Sequence, residues 1–278
     1  ANVKDHPLWG LHVMRERPEI LREVHADYFA AGAEVATANT YNAHRDRFAN
    51  AGEADQFEPL QHLALRLACE ARDAAGSGLV AGAMGPLGGS YRPEHARPVE
   101  EAAELFAEVA ELQKPYVDLF MIETMSSTRE AAGALAGVVG QGKPVWLAIS
   151  VDDEDGTRLR SGEPVEAILP ILAGDRPDAL LVNCSRPEAV SAALPLLTGW
   201  DGPLGAYANG FTGIVDDFKV VNQTVNALTA RVDLDPAAYA AFAEGWIAAG
   251  ATLIGGCCEV GPAHIAELSR RFKAERAA

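Results

Sequence analysis

From residue 34 onward the chain alternates, seven times over, a short apolar run with a stretch of helical periodicity, and that rhythm restricts the folds open to it. The apolar runs are EVATANTY (34–41), GLVAGAMGP (78–86), DLFMIETM (118–125), PVWLAISV (144–151), ALLVNCS (179–185), PLGAYAN (203–209) and ATLIGGCC (251–258). They are nearly continuous in hydrophobic residues, as expected of parallel strands covered on both faces. Between them stand stretches apolar at helical spacing, such as PLQHLALRLACEARDAA (59–75), PVEEAAELFAEVAELQKPYV (98–117) and EPVEAILPILAG (163–174). Pro98 and Pro187 open two of them, with glutamates in the first turn. Each strand–helix pair spans roughly 30 to 40 residues, the size of a right-handed βαβ crossover.

One further helix, PEILREVHADYFAAG (18–32), precedes the first of these strands. A closed eight-fold β/α barrel needs a strand ahead of that helix, and residues 1–17 do not spell one. The expectation is an α/β fold, a (β/α)8 TIM-type barrel whose first strand is missing from this sequence, with an open doubly wound sheet as the alternative. No linker of low complexity divides the chain, so residues 1–278 read as a single barrel domain.

Composition narrows the partners. Lysine and arginine number 23 against 39 aspartates and glutamates, a formal charge of −16, which speaks against nucleic acid or an anionic membrane as partner. No apolar run approaches the ~18 residues that cross a bilayer, and ANVKDHPLWG lacks the layout of a secretory signal. Four cysteines in such a chain (Cys69, Cys184, Cys257, Cys258) read as a reduced, cytoplasmic set, in which clustering points to metal or catalysis.

In β/α barrels the reactive groups sit on the loops that follow the strands. The strand ends here read NTY (39–41), GPLGGSY (85–91), ETM (123–125), VDDEDG (151–156), NCS (183–185), YANG (207–210) and GGCC (255–258). Three of the four cysteines fall among them, whereas Cys69 sits mid-helix in LRLACEA and reads as core. Soft thiolates select zinc, and three protein ligands leave its fourth position open, as in catalytic sites. Adjacent strand residues face opposite ways, so Cys257 and Cys258 reach one ion only if the strand ends between them; Gly255 and Gly256 are expected to supply that freedom. The plainer alternative is that adjacent buried cysteines are simply small core residues.

An open three-thiolate zinc is a weak Lewis acid toward water, yet it can hold an incoming thiol as thiolate. A free thiol has a pKa of about 8.5 and is mostly protonated at neutral pH, so this raises the nucleophile's concentration. Alkyl transfer to sulfur suits such a site, because it needs a soft nucleophile, a good leaving group and positioning.

NC after one strand, GGCC after the last, ET midway and the spacing of GCCEVGPAHI together resemble the homocysteine S-methyltransferase family. LW (8–9), VHADYFAAGAEVATANTY (24–41) and GPLGGSY look like that family's early blocks, and the resemblance covers about residues 8 to 272. It implies a zinc-dependent β/α barrel that methylates homocysteine to methionine, with Cys184, Cys257 and Cys258 as Zn2+ ligands. It further implies that Glu123 binds the homocysteine ammonium and that Asn39, Tyr41 and Asn183 line the substrate pocket; turn or cap roles are the alternative for these last three. The family opens with a first strand ending in a DGG-type turn that helps hold the amino-acid carboxylate. No such turn stands here, in keeping with the strand count. Glu259 and Val260 occupy positions where members usually carry small residues, and YANGF (207–211) replaces a YPN-G segment.

The methyl donor is expected to be a sulfonium or methylated ammonium (S-methylmethionine, S-adenosylmethionine or betaine type), because a cationic leaving group departs neutral. Trp9, Tyr41, Tyr91 and Phe211 are candidate aromatic faces for it. The loops 152–163 and 210–234 are long and polar enough to serve as lids. Two other readings remain: methyl transfer to a different thiol or a selenol, and a non-catalytic barrel that binds zinc or an amino acid. The sequence leaves the oligomeric state open.

Overall fold

A computed structural model of the chain describes residues 8–215 and 228–273, the side chain of Trp9 excepted. Two of the features named above, the Trp9 ring and residues 216–227 of the 210–234 loop, therefore lie outside the described residues.

After two helices, α1 (Trp9–Glu16) and α2 (Pro18–Ala30), strand β1 (Val35–Thr37) enters the sheet, followed by the short α3 (Arg45–Asn50) and the long α4 (Phe57–Ala75). The succession continues through β2 (Leu79–Met84), α5 (Val99–Gln113), β3 (Leu119–Met125), α6 (Thr128–Val138), β4 (Val145–Ile149) and β5 (Ala179–Asn183). It ends with α7 (Pro187–Ala193), β6 (Leu204–Tyr207), α8 (Pro236–Ala248), β7 (Leu253–Ile254) and α9 (Pro262–Phe272).

The seven strands form one parallel sheet in chain order, β1 through β7. A doubly wound sheet reverses its order at a switch point; this one never does, which makes it the wall of a TIM-type barrel one strand short. Among the described residues the outer edges of β1 and β7 carry no strand partner, yet the helical ring outside them closes. The Tyr28 hydroxyl of α2 donates to the Val260 carbonyl at 2.9 Å, and Lys273 Nζ, just beyond α9, donates to the Gly32 carbonyl at 2.6 Å.

Small residues set the helix spacing. A Cβ at Gly137 of α6 would fall 2.3 Å from the Ala103 carbonyl oxygen of α5, and one at Gly133 would fall 2.6 Å from the Ala102 Cβ. The two glycines thus let α6 lie close on α5, where Phe106, 2% exposed, contributes roughly 1.5–3 kcal/mol by leaving water. Among the described residues no helix is long and apolar enough to cross a membrane.

Three features differ from the sequence expectation. The helix expected over 163–174 is two short 3-10 segments, Val165–Ile168 and Ile171–Ala173, because Pro170 has no N–H to donate back into the preceding turn. The helix α3 was not expected at all. Finally, β1 and β7 are much shorter than the apolar runs 34–41 and 251–258, since the last residues of both runs leave the ladder to build the barrel mouth.

Candidate metal centre

The three strand-end cysteines meet at that mouth. Past Ile254 the chain still follows β6, with Gly255 N donating to the Ala206 carbonyl and Cys257 N to the Ala208 carbonyl, both at 3.0 Å. A tight turn then begins at Cys257: Val260 N donates back to the Cys257 carbonyl at 3.1 Å, and Glu259 takes a left-handed φ of 62°. Cys257 is the last residue on the strand path and Cys258 the first inside the turn, so the alternation of faces is broken between them. Their sulfurs lie 3.9 Å apart.

The glycines act differently from the expectation. Neither Gly255 nor Gly256 takes a positive φ. At Gly256 a Cβ would lie 2.1 Å from Val260 Cγ1, so this glycine provides room for the turn to fold back. A Cβ at Gly255 would meet Tyr207 Cβ at 3.4 Å, an ordinary contact.

Cys184 arrives from β5, its Cα 5.9 Å from that of Cys257 and its sulfur touching the Cys257 sulfur. The three Sγ atoms all lie within 4.8 Å of one another. A tetrahedral ion about 2.3 Å from each thiolate separates its sulfurs by about 3.8 Å, so a cluster of this size could hold one metal ion. The surroundings agree with that fit. Burial pushes the Cys258 thiol up to about 11, and the charges of Glu123 and Glu259 add to the effect. A backbone hydrogen bond acts in the opposite direction, and a bound divalent cation would offset the cost of ionising the thiol.

Glu123, 8% exposed near the end of β3, faces the same space, and the Tyr207 hydroxyl donates to its Oε2 at 3.2 Å. Burial pushes its carboxyl up to about 7, with the Tyr207 bond acting in the opposite direction. A cavity of about 1900 Å3 runs from the barrel mouth to the gap between β1 and β7, and its walls include Glu123, Tyr207 and the three cysteines.

Of the other residues singled out in the sequence, Asn39, Tyr41 and Tyr91 line this cavity. Asn39 Nδ2 donates to the Gly10 carbonyl at 3.3 Å, and the Tyr41 hydroxyl pairs with Ser90 Oγ at 2.8 Å. Asn183 is fully buried behind the wall: its Oδ1 accepts from Thr124 N and its Nδ2 donates to Thr124 Oγ1, both at 3.1 Å. It braces the backbone next to Glu123 instead of facing the cavity. Phe211, 3% exposed, also packs away from the cavity. Cys69, remote from the mouth, donates to the Tyr116 carbonyl at 3.3 Å.

Tyr207 was not among the residues chosen from the sequence, although strand parity would have found it. Leu119, Met121 and Glu123 alternate on one strand, Gly205 and Tyr207 on another, and Met121 and Tyr207 share the small cluster of side chains inside the barrel.

A TIM-type β/α barrel, with three clustered thiols at the C-terminal ends of its strands and a buried carboxylate facing them, defines a class of barrel whose mouth could hold a metal ion and handle sulfur. A profile of the homocysteine S-methyltransferase family matches residues 1–272. Homocysteine S-methyltransferase of Escherichia coli K12 is 34% identical over 98% of this chain and 90% of its own length. Among solved structures, the oxidized form of the E. coli homocysteine methyltransferase MmuM superposes with a TM-score of 0.78 at 31% identity, covering 95% of this chain and 88% of that one. Its metallated form gives 0.76 at the same identity and coverage. The chain belongs to the homocysteine S-methyltransferase family.

Proposed function

We propose that this chain is a zinc-dependent methyltransferase, a single barrel domain of the cytoplasm, that moves a methyl group from a cationic donor to the thiol of homocysteine and yields methionine. One observation carries the reading: three sulfurs within 4.8 Å of one another, Cys184 buried and Cys257 and Cys258 half-buried, share a cavity with a buried carboxylate. Cys184, Cys257 and Cys258 would hold the Zn2+. Bound there, the ion supplies a Lewis acid that keeps an arriving thiol ionised at neutral pH.

The remaining work falls to the chain's own residues. Glu123, oriented by the Tyr207 hydroxyl, accepts the ammonium of homocysteine and so fixes where its sulfur lies. Asn183 holds Thr124, and through it the backbone beside that carboxylate. Tyr41 and Tyr91 line the donor's side of the cavity with aromatic surface suited to a sulfonium or methylated ammonium. In the displacement itself, the donor's bond to its methyl carbon breaks as a carbon–sulfur bond forms on the acceptor. The donor's heteroatom keeps the electron pair and leaves neutral, while the thiol's proton has already gone to solvent. No general acid is required, because the leaving group departs neutral.

The test is an assay of zinc-loaded protein with homocysteine and S-methylmethionine, S-adenosylmethionine or betaine in turn. Methionine forms with at least one donor. A protein that binds zinc and homocysteine but makes methionine with none of them is a binding barrel, and turnover on a different thiol or a selenol alone would reassign the acceptor.

A further inference from the structure

Among the described residues four non-glycine residues hold a positive φ: Tyr91 (63°), Thr124 (65°), Cys184 (48°) and Glu259 (62°). All four stand at the strand-end mouth. Such backbone is strained for a residue that carries a Cβ and persists only where its surroundings enforce it. For Cys184 the enforcing group is identifiable. Its carbonyl oxygen accepts from Arg160 Nη2 at 3.2 Å and from Ser150 Oγ at 3.5 Å.

Arg160 lies in the 152–163 loop, yet its side chain is only 7% exposed. Its Nε donates to Ser150 Oγ at 2.8 Å, and its Nη2 also reaches Asp153 Oδ1 at 3.1 Å. The guanidinium carbon stands 4.6 Å from the centroid of the Tyr91 ring. Asp153, itself 8% exposed, uses the rest of its carboxylate on backbone: Oδ1 accepts from Arg186 N and Oδ2 from Ile214 N, each at 2.9 Å. One buried ion pair therefore ties together the loops after β2, β4, β5 and β6.

We propose that Arg160 is a positioning residue of the metal centre, its fork of donors holding Cys184 in the left-handed conformation that turns its sulfur toward Cys257 and Cys258. The inference rests on the reading of the three cysteines as metal ligands and adds to it the device that sets one of them. Asp153 neutralises the guanidinium, so the pair acts through geometry and not through net field. A lysine at 160 would keep the charge and still fail, because a single ammonium cannot reach Ser150, Asp153 and the Cys184 carbonyl while stacking on Tyr91.

The experiment measures Zn2+ affinity by chelator competition, and the Co2+-thiolate absorption spectrum, in the wild-type chain, Arg160→Lys and the milder Ser150→Ala. Outer-shell partners of metal ligands typically contribute 10- to 100-fold in affinity, and a loss in that range is expected for Arg160→Lys, with a smaller one for Ser150→Ala. Both variants should show the same displacement of the cobalt–thiolate bands, which a role confined to fold stability would leave unmoved. Wild-type affinity and an unshifted spectrum in folded Arg160→Lys, or in Ser150→Ala where the first variant does not fold, overturn the proposal and leave the ligand assignment standing. A wild-type chain that binds neither ion ends both.

Discussion

Replacing Glu123 by Gln keeps the shape of the cavity wall and removes the charge proposed to meet the substrate's ammonium. A hydrogen bond to a charged partner contributes about 1.5–3 kcal/mol, so the substitution should weaken binding of the amino-acid moiety by roughly 10- to 150-fold at pH 8. The pH dependence follows from burial. Glu123 titrates near 7, raised from an ordinary carboxylate value near 4.5 because the cavity wall desolvates it. Only the ionised form can pair with an ammonium, and apparent affinity scales with the fraction in the competent form. That fraction is about nine-tenths at pH 8 and about one-tenth at pH 6, so wild-type affinity falls nearly tenfold per unit below pH 7. L-Methionine is the ligand to use, since it carries the ammonium without an ionisable thiol. Calorimetric titration at several pH values should show the wild-type affinity bending downward below 7 and the Glu123→Gln affinity running flat, the gap narrowing about tenfold by pH 6. A flat wild-type profile across this range, or a variant within twofold of wild type at pH 8, would refute the assignment of Glu123.

Cys258→Ala should lose both bound metal and turnover, whereas Cys69→Ala, whose sulfur donates to the Tyr116 carbonyl away from the cluster, should keep both; metal analysis and the methionine assay check the pair. Glu130, 7% exposed at the start of α6, is likewise raised to about 7 by burial, so the folded state holds its proton more tightly than the unfolded chain. Its contribution to stability therefore declines as pH rises from about 4.5 to 7, and Glu130→Gln should gain about 3 kcal/mol relative to wild type between pH 4.5 and 8, measured by urea unfolding. The Cα atoms of Cys184 and Cys257 stand 5.9 Å apart, within disulfide range, so mild oxidation of metal-free protein should bridge this pair, block zinc uptake and be reversed by dithiothreitol. Peptide mapping of the oxidised protein reads the bond directly.

The barrel was legible because strand parity and helical period are local properties, repeated often enough for their order to show. Its incomplete wall could be counted for the same reason. The clustering of three cysteines was legible because rare residues fell on strand ends. What sequence concealed were the long-range hydrogen bonds. Asn183 reads as a pocket residue by its neighbourhood to Cys184, yet its amide is used up on Thr124, 59 positions away. Arg160 looks like any charge in a polar loop, and only the fold shows that it is buried against Tyr91 and the Cys184 carbonyl. The role of Gly256 was misjudged on similar grounds, because the clash it avoids is with Val260, a contact made by the turn itself. The helix expected at 163–174 failed for a local reason, since Pro170 outweighs an otherwise helical apolar pattern.

The central claim is that three sulfurs from this chain hold one ion and leave it a position for an arriving thiol. X-ray absorption at the zinc edge tests it most directly. Zinc-loaded protein should show three sulfur neighbours and one lighter scatterer, changing to four sulfurs when homocysteine is added. Fewer than three sulfurs in the free protein, or a first shell that homocysteine leaves unchanged, would contradict the account.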